Sequence, residues 1–232
     1  MTTQKAAVTL SNQRMSKTFD ATITDGVWSN LTDSLSGSNL GILIPSAMVN
    51  RAVGVYAAGL GAYRIQDAQT LQVSRRGWLA KDGFSCYASG AIAPHVVRPN
   101  EIIQAFTQPV DATATESNVL AWVHTTKGTE LYQGLAVKDD TATELLTALQ
   151  GQSIGDAAFN SNLTGISMQV EDGGQGILLQ IIDSAGGILW SLPANFRMPS
   201  DGGTSAYYNF DASGLSLPIG KGFTFKVTVK TA

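Results

Sequence analysis

The end of the chain alternates strictly between apolar and polar residues, and this period of two constrains the fold more than any other feature. The run is Phe223-Thr-Phe-Lys-Val-Thr-Val-Lys230. Side chains two residues apart share one face of a β-strand, so one face of this segment lies on a core and the other lies in water. A chain built from several such segments folds as antiparallel β-structure.

The same alternation, or a short apolar run between turn residues, predicts further strands in the C-terminal half. They are Ile102–Val110, Val119–Thr125, Glu130–Val137, Ile166–Glu171, Ile177–Ile182 and Ile188–Leu192. The nearly continuous apolar run at 177–182 predicts a strand buried on both faces. The residues Asp183–Gly187 predict a turn that leads into its antiparallel partner.

One helix is predicted between these strands. Thr141 and Glu144 have the spacing of a capping box, and Gly151 is a typical helix-ending residue. Three leucines fall on one side of this helix, namely Leu145, Leu146 and Leu149. A single helix between strands, rather than one after each strand, favours a β-sandwich with a helical insertion over a parallel α/β sheet.

The chain is predicted to have two parts. Residues 96–232 contain seven or eight strands, which fits an antiparallel, jelly-roll-like β-sandwich. Residues 1–95 are interpreted as a less regular, β-rich N-terminal region, with strand-like segments at Ser16–Trp28 and Ala68–Ala80 and a polar loop at Ser34–Asn39. The boundary is set by the prolines near residue 95.

Composition restricts the partners. Charged residues make up only 14% of the 232 residues and the net charge is −3, with Arg75-Arg76 as the densest basic pair, so we expect no nucleic-acid binding. No apolar stretch approaches the roughly 20 residues of a membrane span. The N-terminus lacks the apolar segment of a signal peptide, which predicts a protein made in the cytoplasm. The single cysteine, Cys86, forms no internal disulfide and is interpreted as a small buried hydrophobe.

The sequence predicts no catalytic, cofactor-binding or metal-binding residues. Gly151-Gln-Ser153-Ile-Gly155 has the spacing of a nucleophile elbow, but the only histidines, His95 and His124, precede it, so the order of a hydrolase triad fails. Three histidine and cysteine residues in all are too few and too scattered for zinc. We therefore predict that the protein is not an enzyme.

Two ligand classes stay open at this stage. Loop aspartates could hold calcium, although turn formation explains them more economically. These residues are Asp139, Asp140, Asp172 and Asp183. Aromatic residues could mark a sugar site, although in a sandwich they more often belong to a core or an interface. These residues are Trp78, Trp190, Tyr207, Tyr208 and Phe210.

Two longer segments resemble structural proteins of tailed bacteriophages. The first is Gln108-Pro-Val-Asp-Ala-Thr-Ala-Thr-Glu-Ser-Asn-Val-Leu-Ala-Trp-Val123, followed by Lys127-Gly-Thr-Glu-Leu131, and the second is Leu215-Ser-Leu-Pro-Ile-Gly-Lys-Gly-Phe223. The whole chain is similar to the small β-rich proteins that decorate or cement phage capsids. The resemblance implies a non-catalytic virion protein, made in the host cytoplasm and located on the capsid surface. Its partners would be the major capsid protein and two further copies in a homotrimer.

Within this resemblance, the N-terminal region is the expected adhesive arm. A chain without its first thirty residues is then expected to fold and to fail in capsid binding. The alternatives are a tail, baseplate or head-fibre protein, and a carbohydrate-binding β-sandwich module, which needs exposed aromatic side chains on one face.

Overall fold

The computed structural model describes residues 2–11, 16–43, 48–49, 51–56, 60–79, 95–108, 115–171, 177–192 and 207–229. The protein is mainly antiparallel β-structure, as predicted. It divides into two compact units, Met1–Val110 (unit 1) and Asp111–Ala232 (unit 2). This boundary lies after the one predicted at residue 95, because the strand Glu101–Thr107 pairs with strands of unit 1 and not with the sandwich.

Unit 1 is built on one large sheet. Its strands are β1 (Thr3–Ser11), β2 (Ser16–Thr24), β3 (Ser29–Asp33), β4 (Met48–Val49), β5 (Arg51–Tyr56), β6 (Gly61–Asp67), β7 (Val73–Leu79), β8 (His95–Val96) and β9 (Glu101–Thr107), with a four-residue helix α1 (Leu40–Leu43). Seven strands form a sheet in the order β5-β1-β2-β3-β9-β6-β7, and β4 pairs with β8. The edge strands β5 and β7 contact each other, so the sheet curves around its core.

The core of unit 1 lies on one face of this sheet. Alternate residues of the central strands are buried there, including Val8, Phe19, Tyr63 and Ile103. The N-terminal residues are thus internal strands of a regular sheet, which differs from the less regular adhesive arm that the sequence suggested. Large apolar side chains on β1 and β2 provide the physical reason, since they have to be buried for the sheet to fold.

Unit 2 contains two sheets. Its elements are β10 (Glu116–Thr125), β11 (Gly128–Val137), β12 (Ala142–Glu144), β13 (Leu146–Thr147), α2 (Ile154–Ala157), β14 (Ser161–Glu171), β15 (Ile177–Ile182), β16 (Ile188–Leu192), β17 (Tyr207–Ile219) and β18 (Thr224–Val229). One sheet has the order β13-β11-β10-β14-β17 and the other has the order β12-β18-β15-β16. All their pairings are antiparallel.

The two sheets of unit 2 share one core, so unit 2 is a β-sandwich. The five-stranded sheet contributes buried side chains such as Ala121 and Met168, and the four-stranded sheet contributes Leu179 and Val227. The rings of Tyr132 and Phe225 meet edge to face across the sheets, with centroids 6.2 Å apart. The order of the described strands does not confirm the predicted jelly-roll connectivity of two Greek keys.

Most strands predicted in the C-terminal half are confirmed. The alternating run at the end of the chain forms β18, and β15 and β16 form the predicted hairpin. β15 differs in one respect: Ile177, Leu179 and Ile181 are buried and the residues between them are half-buried, so only one face lies on the core. The isoleucine and leucine on its second face are therefore partly exposed rather than part of a second core.

The helix predicted from Thr141 to Gly151 is wrong. These residues form β12, β13 and a loop, because their backbone hydrogen bonds go to neighbouring strands. The Leu145 N–H, for example, donates to the carbonyl of Phe225 at 2.8 Å. The short helix of unit 2 is α2, which begins three residues after Gly151. None of the helices in the described ranges is long and apolar enough to cross a membrane.

Candidate functional site

The described surroundings of Ser153 differ from those of a nucleophile elbow. It lies at the N-terminal end of α2, and its hydroxyl donates to Asp156 Oδ2 at 3.3 Å. His124 lies on β10, where its Nδ1 is 3.0 Å from Thr129 Oγ1. The pentapeptide at 151–155 therefore follows a loop and begins a four-residue helix, rather than forming the strand-to-helix turn of a nucleophile elbow.

The loop aspartates that the structure describes stabilise turns. Asp139 Oδ1 accepts from the Thr141 N–H at 2.9 Å, and Asp183 Oδ1 accepts from the N–H groups of Ala185 and Gly187 at 2.9 and 2.7 Å. Among the described residues, no group of three or more histidine, cysteine, aspartate or glutamate residues is placed to hold a metal ion.

The aromatic residues considered for a sugar site are only partly described. Trp78 is buried in unit 1, and Trp190 is half-buried against the core of unit 2. Several other residues singled out in the sequence lie outside the description, in full or for their side chains: Cys86, His95, Asp172, Tyr207, Tyr208 and Phe210.

Three loops of the described chain share one backbone arrangement. The sequence predicted a polar loop at Ser34–Asn39, where the first of them lies, and did not identify the other two. The three are loop A (Asp33–Ser38), loop B (Asp67–Gln72) and loop C (Thr147–Gln152). In each loop the N–H of the first residue donates to the carbonyl of the sixth, at 2.9, 3.0 and 2.9 Å in loops A, B and C. The N–H of the fifth residue donates back to the carbonyl of the first, at 2.8, 2.9 and 2.8 Å.

Each of these loops is also tied to a neighbouring segment. The N–H of its second residue donates to a carbonyl outside the loop, at 3.0, 2.9 and 2.8 Å in loops A, B and C; the acceptors are Thr18, Asn100 and Leu131. The fifth residue has a positive φ in all three, with values of 70°, 59° and 64°. Three backbone hydrogen bonds per six residues make these loops well-defined parts of the structure rather than loose connections.

The side chain of the first residue closes each loop from within. Asp33 Oδ2 accepts from the N–H and the hydroxyl of Ser36 at 3.0 and 2.7 Å, and Lys17 Nζ lies 3.8 Å from the same oxygen. Asp67 Oδ1 accepts from the N–H groups of Gln69 and Thr70, both at 2.8 Å. In loop C a threonine replaces the aspartate, and its hydroxyl accepts from the N–H of the sixth residue at 2.9 Å.

These hydrogen bonds favour the charged form of both carboxylates. The pKa of Asp33 is lowered from its usual value, chiefly by the hydrogen bond from the Ser36 side chain. The pKa of Asp67 is lowered as well, chiefly by the hydrogen bond from the backbone of Thr70. Both loops therefore keep their internal bonds at neutral pH.

Loops A and B lie side by side at one end of the sheet in unit 1. β3 and β6 are both antiparallel to β9, with Leu31 and Ile65 opposite the same residue, Ile103. The two strands therefore run in the same direction on either side of β9, and each enters its loop two residues later. Two interstrand spacings separate the loops at their base, which is about 10 Å.

A buried carboxylate holds the segment between the two loops. Glu101, the first residue of β9, accepts from the Ser74 hydroxyl at 2.6 Å and from the Arg98 N–H at 2.9 Å. At the opposite end of the sheet, Asp25 accepts from the Thr107 hydroxyl at 2.7 Å and from the side chains of Thr2 and Gln4. Both groups serve the scaffold. The surface at the end where β9 begins is formed by loops A and B and by the exposed residues Arg98, Pro99 and Asn100.

Each loop presents one leucine to solvent. Leu35 in loop A is 90% exposed, Leu71 in loop B is 65% exposed and Leu149 in loop C is 61% exposed. These are the three highest exposures of any large hydrophobic side chain that the structure describes. Single exposed leucines are common on protein surfaces, but loops A and B place two of them side by side on unit 1, and loop C presents a third on unit 2.

Comparison with protein-family models, with curated proteins and with solved structures finds no match. The function therefore has to be argued from the loops themselves. Sequence reasoning placed Leu149 on the apolar side of a helix and Leu71 in an amphipathic strand, and both interpretations bury the side chain. The sequence does contain a pattern that could have identified these loops. Each begins with an aspartate or threonine, which can cap the backbone, and its other five residues are one leucine and four small or polar residues.

Proposed function

We propose that this chain is a non-catalytic structural virion protein that binds the outside of a phage capsid and cements neighbouring major capsid subunits. The observation that carries the proposal is the end of unit 1 where loops A and B lie side by side. It offers two exposed leucines on fixed backbone, as an adhesive surface requires. The resemblance to phage decoration proteins supplies the class of partner.

The chemistry of this end suits a protein surface. Apart from the two capped aspartates, loops A and B contain only serine, threonine, alanine, glycine, glutamine and leucine. The loops themselves contain no lysine or arginine, and the cations beside them, Lys17 and Arg98, lie near the carboxylates of Asp33 and Asp67. Leucines on preformed loops lose little conformational freedom on binding, so more of the free energy of burial is retained as affinity.

The expected strength of one contact is modest. Burying a leucine side chain stabilises by about 1.5–3 kcal/mol, and two anchors give a weak site by themselves. Symmetric repetition of such a site raises the overall affinity, because linked contacts bind at a high effective concentration. A homotrimer on a threefold position of the shell would combine three copies of this end and stabilise the assembled shell by mass action.

The test is co-sedimentation of the purified protein with undecorated capsids of the virus that encodes it. We expect saturable binding. We also expect capsids that carry the protein to survive heat or denaturant longer than capsids without it. Leu35→Ser and Leu71→Ser should weaken binding while unit 1 stays folded, and Val27→Ser, which changes an exposed side chain outside the loops, should not. Absence of binding to capsids would contradict this proposal. Immunogold label on tails instead of heads would show that the protein belongs to the tail.

A further inference from the structure

The sandwich of unit 2 has one closed side and one open side. On the closed side, β12 of one sheet and β13 of the other are separated by Leu145 alone, so the chain itself joins the two sheets. The strands at the opposite ends of these sheets are β16 and β17, and they lie on the same side because the sheets of a sandwich are roughly aligned. We call Ile188–Leu192 of β16 and Ala212–Ile219 of β17 the open side.

Both strands of the open side leave backbone groups available for pairing. In the described part of the chain, β16 pairs only with β15, and β17 pairs only with β14. In an antiparallel edge strand, alternate residues direct their N–H and C=O groups away from the one neighbour that the strand has. The open side therefore presents two rows of backbone donors and acceptors that a further strand can satisfy.

The hydrophobic core of unit 2 reaches the surface at the open side. Leu189 and Trp190 of β16, like Leu215 and Leu217 of β17, pack against this core and are only half-buried. Beside them, Ile188 is 60% exposed. Both edge strands thus contribute partly exposed apolar side chains to one side of the sandwich, and burial of such side chains favours association.

The residues of the open side are uncharged. β16 contains only isoleucine, leucine, tryptophan and serine, its neighbour β15 adds only glutamine to these types, and residues 212–219 of β17 contain no acidic or basic side chain. The edge strands β5, β7 and β12 differ, since each contains an arginine or a glutamate. Charge on an edge strand disfavours pairing with another chain. The open side lacks this protection, and its one proline is Pro218, near the end of β17.

We propose that the open side is a contact between two copies of this chain, in which β16 meets β16 of the second copy and β17 meets β17 of the second copy. Identical antiparallel strands are self-complementary, because a twofold axis sets each outward donor against the equivalent acceptor. An uncharged surface can also approach a copy of itself without like-charge repulsion. A partner with a charged edge would leave its charges without a counterpart here, which favours a second copy as the occupant.

Irregularities in both strands restrict the extent of this contact. The register of β16 against β15 shifts between Ile181 and Ile182, and the register of β17 against β14 shifts between Leu163 and Gly165. Such irregularities bend and twist an edge, which shortens the ladder that another strand can form. A twofold contact is also closed, since it uses the same side of both copies. We therefore expect a reversible pair rather than a sheet that grows by further addition. The inference does not rest on the proposed function, because a pair can form between single chains or between trimers.

The test places a charge on the open side and measures the solution mass of the full-length protein by analytical ultracentrifugation. Ser191 of β16 is exposed, and a twofold contact brings its two copies near each other. Ser191→Lys should weaken association at least about tenfold, because like charges then face each other. Gln150→Lys is the matched control: Gln150 is exposed and belongs to unit 2, but it follows β13 on the closed side. We expect the unchanged protein and Gln150→Lys to have about twice the mass of Ser191→Lys.

Two further measurements separate a lost contact from a lost fold. A mixture of Ser191→Lys and Ser191→Glu should regain the mass of the unchanged protein, since opposite charges then face each other across the contact. In the unchanged protein, amides of β16 and β17 should exchange more slowly as the protein concentration rises. Amides of β10, which already pairs with β11 and β14, should exchange at the same rate at every concentration.

The proposal is overturned if the unchanged protein and Ser191→Lys have the same mass at all concentrations up to about 100 μM, since a contact weaker than this is negligible in solution. It is also overturned if Gln150→Lys loses association to the same extent, or if the mixture of lysine and glutamate variants stays dissociated. Protection of β16 and β17 that requires capsids and does not depend on protein concentration would assign the open side to a capsid subunit instead. None of these results tests capsid binding by loops A and B, so the two proposals can fail separately.

Discussion

Leu71 occupies a backbone conformation in which glycine is more stable, and this allows a sharp test of the loop structure. Its φ of 59° lies in the left-handed region, while the equivalent residues of loops A and C are glycines. We compare two variants, Leu71→Ala and Leu71→Gly. Both remove the same exposed aliphatic side chain, and only the second removes the Cβ that disfavours this φ.

The expected free-energy difference follows from two opposing effects. A Cβ in the left-handed conformation costs roughly 1–2 kcal/mol. Glycine loses more backbone freedom on folding than alanine, which costs roughly 0.5–1 kcal/mol. The difference favours glycine by about 0.5–1 kcal/mol at this position, the reverse of the usual order in regular strands and helices.

Hydrogen exchange followed by mass spectrometry is the suitable assay, because peptides from β6 and β7 report on the stability of unit 1 directly. Leu71→Gly should exchange more slowly in these peptides than Leu71→Ala, and peptides from β15 and β18 in unit 2 serve as the internal control. The reasoning is refuted if the glycine variant exchanges faster than the alanine variant by the factor that corresponds to about 0.5–1 kcal/mol, the usual cost of glycine relative to alanine. Residue 71 would then not have a left-handed backbone.

Three further outcomes are expected. Gly77→Ala should lower the melting temperature, since a Cβ there would lie 2.4 Å from Cε1 of the buried Tyr63, and overpacking costs about 1–3 kcal/mol; an unchanged melting temperature would contradict this. The NMR resonance of the Thr70 amide should titrate with a midpoint below pH 3.8, because the pKa of Asp67, which accepts its hydrogen bond, is lowered from 3.8. This hydrogen bond is then intact above pH 3.8 and is lost as the pH falls through the lowered pKa. A midpoint at pH 3.8 or above would exclude stabilisation of the bond by the charged carboxylate. Removal of residues 1–30 deletes β1 and β2 and should unfold unit 1, seen as rapid proteolysis; a protease-resistant unit 1 would show that these strands are dispensable.

The strands of the sandwich could be predicted because each one carries its own periodicity. β18 alternates without interruption, and β15 and β16 are separated by Asp183–Gly187, whose first residue caps the turn through its carboxylate. These signals are local, so a single sequence contains them. The pairing of β9 with β3 and β6 is not local, since it joins segments that are distant in the sequence, and the predicted domain boundary fell on the wrong side of that strand.

The helix prediction failed because two structures satisfy the same pattern. The apolar positions Leu145 and Leu149 fit one side of a helix, and they also fit a strand followed by a loop. The choice between them depends on partners elsewhere in the chain: the Leu145 N–H finds the Phe225 carbonyl on β18, and its side chain packs against Gly134 on β11. Leu149 then falls outside the ladder and becomes exposed.

The exposed leucines of the three loops contribute nothing to the cores of the two units. A leucine at the left-handed position of loop B destabilises unit 1, and an exposed leucine on loop A or loop C adds no core. Residues that lower stability are expected where a function requires the side chain. Loop B differs from the others in carrying its leucine at the fifth position rather than the third, and glycine would be available there at no steric penalty. Under the proposed function, contact with a partner accounts for the leucine at this position.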